Sequence, residues 1–96
     1  LEVDGWLSLG YTKIKKLPEK LKIGGWLDLR ETKITKLPEG LKIEGWLDLR
    51  ETKITKLPKG LYVGDKIILP DGTRIKTGYK LPREMSIKEL KIIESI

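Results

Sequence analysis

Asp28 and Asp48 hold the same place in two copies of one phrase, Trp-Leu-Asp-Leu-Arg, at residues 26–30 and 46–50. If the copies lie on neighbouring strands, the carboxylates stand about 5 Å apart, the separation at which a nucleophile and a general acid cleave glycosidic bonds with retention. Duplication creates such pairs without any demand for chemistry, however. Arg30 and Arg50 follow each Asp by two residues, on the same strand face, so salt bridging accounts for the pairing. As a cation site the two carboxylates fall short of the roughly six to eight oxygens that calcium takes. The chain has no His and no Cys, which removes the common triads and the His/Cys zinc sites. Neither glycine-rich phosphate motif occurs, and Ser8, Ser86 and Ser95 sit in no recognisable catalytic context. The chain reads as non-enzymatic, with no cofactor, metal or small-molecule substrate expected.

Two further sets recur with the same spacing. Trp6, Trp26 and Trp46 would form a column, either bracing the sheet through stacked rings or offering an aromatic platform to a partner protein's anchor residue, a sugar or a base. Lys13, Lys33 and Lys53 make a second column and Lys16, Lys36 and Lys56 a third, a basic ridge of the kind that grips a phosphate backbone. Against that use, Glu31 and Glu51 precede Lys33 and Lys53 by two residues, and Glu19 and Glu39 follow Lys16 and Lys36 by three, so each repeat is expected to neutralise itself in part.

What must position these columns is the repeat. Written in twenties, the chain aligns with itself: LEVDGWLSLGYTKIKKLPEK at 1–20, LKIGGWLDLRETKITKLPEG at 21–40 and LKIEGWLDLRETKITKLPKG at 41–60. The second and third blocks agree at 18 of 20 positions and the first two at 12 of 20. Residues 61–82 form a longer, degenerate fourth block that keeps the opening Leu-x-Val-Gly and the closing Leu-Pro. A period near 20 signifies a solenoid, whose coils bury their apolar faces on one another. Within a coil Leu27 and Leu29 alternate with polar neighbours as a strand does, and Leu21/Ile23 and Thr32/Ile34 repeat that inward spacing of two. Gly24-Gly25 and Leu37-Pro38 break the chain into corners. Each coil should hold two or three short extended segments, stacked in parallel about 4.8 Å apart.

The pattern L-x-L-x-x-T-x-I-x-x-L-P-x-x-L, running from Leu27 through Thr32, Ile34, Leu37 and Pro38 to Leu41 and recurring from Leu7 and Leu47, resembles the leucine-rich repeat, above all its short bacterial form with an LP corner. It covers about residues 1–63. The resemblance implies protein binding by a rigid surface; short bacterial repeats of this kind often occur in secreted effectors. One departure is that Thr12, Thr32 and Thr52 stand where that family has an Asn whose amide links adjacent coils, so the coil is expected either to follow the leucine-rich horseshoe or to approach a β-helix.

The fourth block reads as termination. Lys66–Leu69 and Thr73–Lys76 flank Pro70-Asp71-Gly72, a hairpin signal. In the cap at 83–96, Ser86 and Glu89 form a capping box, with Ile87, Leu90 and Ile93 on one helical face over the last coil. The first coil has no such cover, so either further coils precede it in the natural protein or another molecule, a second copy included, covers it.

Composition bounds the rest. Ninety-six residues make one domain. Twenty basic and fourteen acidic side chains give a net charge of +6 with no basic tail, and no apolar run approaches the roughly 20 residues of a membrane span. Asn, Gln and Cys are absent while Lys, Glu and Ile abound, a bias of heat-adapted proteins that leads us to expect thermostability. The expected molecule is a β-rich solenoid that binds a partner protein through Trp6, Trp26, Trp46, Asp28, Asp48, Arg30 and Arg50. Homotypic assembly, or nucleic-acid binding along the lysine columns, are the alternatives. Compartment is not legible.

Overall fold

The computed structural model describes residues 1–94. Its strands are short: β1 (Glu2–Val3), β2 (Leu7–Ser8), β3 (Lys22–Ile23), β4 (Leu27–Asp28), β5 (Lys42–Ile43), β6 (Leu47–Asp48), β7 (Lys56–Leu57), β8 (Tyr62–Val63), β9 (Lys66–Ile68), β10 (Arg74–Lys76) and β11 (Met85–Ser86), followed by helix α1 (Ile87–Glu94). Each coil gives one strand to each of two parallel sheets. The first sheet runs β1-β3-β5-β8, and the second runs β2-β4-β6-β9 with β10 added antiparallel at its end. The chain is therefore a β-solenoid of three turns and the opening of a fourth, closed by a hairpin and a short helix.

Register follows from the repeat. Leu7 pairs with Leu27, Leu27 with Leu47 and Leu47 with Ile67, while Val3, Ile23, Ile43 and Val63 stack likewise on the other sheet. Sliding one coil by a single residue would turn these side chains outward, so the buried columns fix the stacking. Leu27, Leu29, Ile34, Leu41, Ile43, Leu47 and Leu49 are fully enclosed. In the first coil Val3, Leu7, Leu9 and Ile14 are partly buried, packed against the core from one side.

The third side of the coil is not a sheet. Thr32, Ile34 and Leu37 are buried there, yet the inward spacing changes from two to three residues and Pro38 has no N–H to donate. A single main-chain bond, Lys33 N to the Ile14 carbonyl at 3.2 Å, links the first two coils along this side. Only β7 finds a ladder, antiparallel with β11. Thr32 Oγ1 donates 2.8 Å to the Leu29 carbonyl of its own coil, as Thr52 does to Leu49. These hydroxyls thus close a turn within a coil and do not run a ladder between coils.

Two corners carry the geometry. At Gly24 a Cβ would lie 2.4 Å from the Asp4 carbonyl oxygen, so only glycine lets the second coil settle on the first. At the other corner Tyr11, Glu31 and Glu51 adopt φ of 63°, 58° and 61°, a left-handed conformation that side-chain-bearing residues adopt at some cost.

The terminating hairpin forms as the Pro70-Asp71-Gly72 signal predicts: Gly72 has φ of 90° and the Thr73 N–H is held by Asp71 Oδ1 at 3.0 Å. The capping box forms by half. Ser86 Oγ accepts from the Glu89 N–H at 3.0 Å, whereas the Glu89 carboxylate turns away to Arg83. Ile87 N donates 2.9 Å to the Thr55 carbonyl, laying the helix over the third coil's irregular side. Leu90 is buried, but Ile93 is 45 % exposed, so only the first turns of the helix rest on the coil. Ser95 and Ile96 lie outside the described residues.

Candidate functional site

The outward residues of the second sheet form one flank. Trp26, Asp28 and Arg30 leave the same face of the strand because alternate residues share a face, and in-register stacking repeats them as columns. Trp6 and Trp26 stack with ring centroids 4.8 Å apart and planes within 3°, and Trp26 and Trp46 with centroids 5.1 Å apart at 21°. Strand spacing and ring spacing coincide, so the sheet itself supplies the stacking distance. One end of the ladder is covered by the Lys66 ammonium, 5.6 Å from the Trp46 ring centre. The other end is open: Trp6 is 58 % exposed.

Beside the rings runs a charged row. Arg30 Nε and Nη2 donate to Asp28 at 3.0 and 2.9 Å, and its backbone N–H donates to the same carboxylate at 3.0 Å. Arg50 holds Asp48 in the same way, with Nη2 2.7 Å from Oδ2. Arg30 Nε is also 3.7 Å from Asp48, so the guanidinium reaches across coils. Both carboxylates are buried while the guanidiniums remain partly open to solvent. The row ends at both sides of the solenoid: Ser8 and Gly10 stand in these places in the first coil, Ile68 and Pro70 in the fourth. Tyr11 lies under the Arg30 guanidinium at 5.6 Å.

This arrangement is poor for acid–base chemistry. Burial pushes the Asp28 carboxyl up, but the hydrogen bonds from the Arg30 side chain and backbone and the charges of Arg30 and Arg50 outweigh it, and the group is held below its ordinary value. A general acid needs the opposite shift. Every oxygen of Asp28 and Asp48 is engaged by arginine, so neither is directed at a vacant reaction space. Among the described residues no group of three or more His, Cys, Asp or Glu could hold a metal ion, and no helix is long and apolar enough to cross a membrane.

Lys13, Lys16, Lys33, Lys36 and Lys53 are exposed on the irregular third side, together with Lys56. The expected neutralisation by Glu19, Glu31, Glu39 and Glu51 does not take the form of ion pairs among the described residues: of these lysines only Lys56 is paired there, with Glu84 at 3.9 Å. Glu31 and Glu51 sit at the left-handed corner. The sequence also gave no sign of a cleft of about 350 Å³ between α1 and the third coil, floored by Ile54 and Ile87 and rimmed by Lys56, Lys88 and Lys91. It arises from residues more than thirty positions apart, with no shared motif. Lys91 there is already engaged by Asp71.

No protein-family model, curated protein or solved structure matches this chain.

Proposed function

We propose that this solenoid is a non-enzymatic protein-interaction module that recognises a partner protein through the Trp6–Trp26–Trp46 flank and its Asp28/Arg30 and Asp48/Arg50 rows. The observation that carries this reading is the ladder of three indoles, none of them buried, bordered by arginines whose donors are fixed by buried carboxylates. Trp and Arg are the residue types that dominate binding energies at protein interfaces. Their rotamers are already held by stacking and by bidentate bonds, so little side-chain entropy is lost on association. The motif likeness to leucine-rich repeats supports the same reading by analogy alone.

The test is capture from an extract of the source organism on immobilised protein, comparing the wild type with Trp46→Ala and with both arginines reversed in charge. Proteins retained by the wild type and lost with Trp46→Ala, whose circular dichroism stays native, support the flank as the binding surface. Equal retention by both, or none by either, overturns it.

A second reading rests on the lysine side, where Lys33, Lys36 and Lys53 are exposed and form no ion pair among the described residues, a basic surface suited to a phosphate backbone. It requires affinity for single- or double-stranded nucleic acid that falls steeply with salt and is lost when Lys33, Lys36, Lys53 and Lys56 become Gln. Affinity unaffected by that replacement removes the lysine side from consideration.

A further inference from the structure

Charge is not shared evenly among the sides of the coil. The third side, residues 13–17, 33–37 and 53–57, carries seven lysines and no acidic residue, whereas the rest of residues 1–60 holds six basic side chains against nine acidic ones. Ile14, Ile34 and Ile54 pack on the core, as do Leu17, Leu37 and Leu57. Between them Lys13, Lys15, Lys16, Lys33, Lys36, Lys53 and Lys56 are left exposed. Six of the seven form no ion pair among the described residues, and Lys56 reaches only Glu84, at 3.9 Å. Coils rise about 4.8 Å, so the main-chain anchors of Lys13 and Lys53 stand about 10 Å apart, close to the Debye length of about 8 Å at physiological salt. The ammonium groups therefore attract an anion together. Stacking like charges in register is unfavourable, and the flank avoids that cost by clasping each Arg to an Asp. The lysine side has no such clasp.

We propose that the third side rests on an anionic lipid surface, a peripheral contact that goes beyond the flank reading and uses a different side of the molecule. What the face is made of separates lipid from nucleic acid. Residues 13–17, 33–37 and 53–57 are Lys, Ile, Thr and Leu alone. No aromatic or Arg side chain is there for an unpaired base to stack on, and no Arg, Asn or Gln to read a base edge with two bonds. A Lys ammonium is a point charge on a flexible stem, suited to anions that move to meet it. Acidic lipids diffuse in the plane of a bilayer and gather beneath all seven ammonium groups. The phosphates of a duplex are fixed on a cylinder, which curves away from so compact a patch. Attraction of this kind needs no spanning segment: lysines close to an acidic leaflet act singly and additively, each raising the bound fraction about fivefold.

The test is co-sedimentation of the whole chain with vesicles of phosphatidylcholine, alone or mixed with phosphatidylserine. The protein should pellet with the mixed vesicles, stay in solution with phosphatidylcholine alone, and be released at about 1 M salt, where the Debye length falls to about 3 Å. Lys33→Gln combined with Lys36→Gln should lower the partition about 25-fold with an unchanged circular dichroism spectrum, since both side chains are exposed. Lys22→Gln combined with Lys42→Gln removes the same charge from the first sheet and should lower it far less. Duplex DNA at equal phosphate concentration should not displace the protein from the mixed vesicles. Failure to bind those vesicles, equal binding to phosphatidylcholine alone, equal loss in the two double variants, or displacement by the duplex would each overturn the proposal, the last in favour of the nucleic-acid reading of the same lysines. Trp46→Ala should bind vesicles like the wild type, so the capture experiment on the flank succeeds or fails independently.

Discussion

Asp28 and Arg30 form a three-bond clasp: the guanidinium donates at 3.0 and 2.9 Å and the Arg30 backbone N–H donates at 3.0 Å to the same buried carboxylate. The clasp faces outward from the strand but is shut by the strands on either side, and it explains why a carboxylate can sit buried on the flank of so small a protein. An unpaired carboxylate there would carry a desolvation cost. Asp28→Ala, read by urea unfolding, is therefore expected to lose about 1–3 kcal/mol, and Arg30→Ala is expected to destabilise more than Arg50→Ala, because Arg30 also reaches Asp48. Equal effects of the two arginine variants would remove the cross-coil contact from the account.

The same clasp sets a pH dependence. Arg30 and Arg50 hold Asp28 below its ordinary value despite burial, and Asp71 and Glu89 are depressed as well, by Lys91 and Arg83 respectively. A carboxyl depressed in the folded state binds fewer protons than in the unfolded chain, so its contribution is present above the unfolded value near 4 and is lost as pH falls through the folded one. Stability should be flat from about pH 8 to 5 and decline below about 4. Asp28→Asn should shrink that decline without abolishing it, since the other two carboxyls remain.

Trp26 stacks on both neighbours, whereas Trp6 stacks on one. At about 0.5–1.5 kcal/mol per aromatic pair, Trp26→Ala should lose roughly 1–3 kcal/mol from stacking and Trp6→Ala about half as much. Exciton coupling of the indoles in circular dichroism should largely vanish with Trp26→Ala and persist, weakened, with Trp6→Ala.

Gly24→Ala would bring a methyl to 2.4 Å from a main-chain oxygen that cannot swing aside, while the same change at Gly5 meets nothing within 4 Å. The first should cost at least about 2 kcal/mol; the second should be neutral or slightly stabilising, through a less flexible unfolded chain. Thermal melts of the two variants side by side check this.

Lys20 has φ of 60°, matching Gly40 at 74° and Gly60 at 78° in the next two coils. Replacing it with the glycine its own repeat uses should relieve left-handed strain and stabilise by about 0.5–1 kcal/mol. A lower melting temperature for Lys20→Gly would show that the Lys20 side chain holds a contact that outweighs the strain.

Much of the architecture was legible because a repeat turns local pattern into global arrangement. Once residues 21–40 and 41–60 are seen to be the same, the register of Leu27 on Leu47 and the existence of the Trp and Asp/Arg columns follow without further information. The hairpin at Pro70-Asp71-Gly72 was legible for a different reason, since a turn is chosen by a few adjacent residues. Spacing alone misjudged the lysine side. Glu31 lies two residues from Lys33, but Glu31 is itself the left-handed corner residue, and no ion pair joins the two among the described residues. Ile93 belongs to the apolar face of its helix by period, yet it stays 45 % exposed while Leu90 is buried.

The sequence by itself determined the coil length, the identity of the columns and the side chains that face inward, because period and alternation are properties of the chain. Tertiary structure decided what no local pattern carries. It settled that the third side has no ladder in the first two coils, that both carboxylates are buried and clasped, and that the β10 edge of the second sheet carries the exposed Arg74 and Lys76. Those outcomes depend on which groups remain unpaired after the coils stack, and that is fixed only when distant residues are brought to hydrogen-bonding distance.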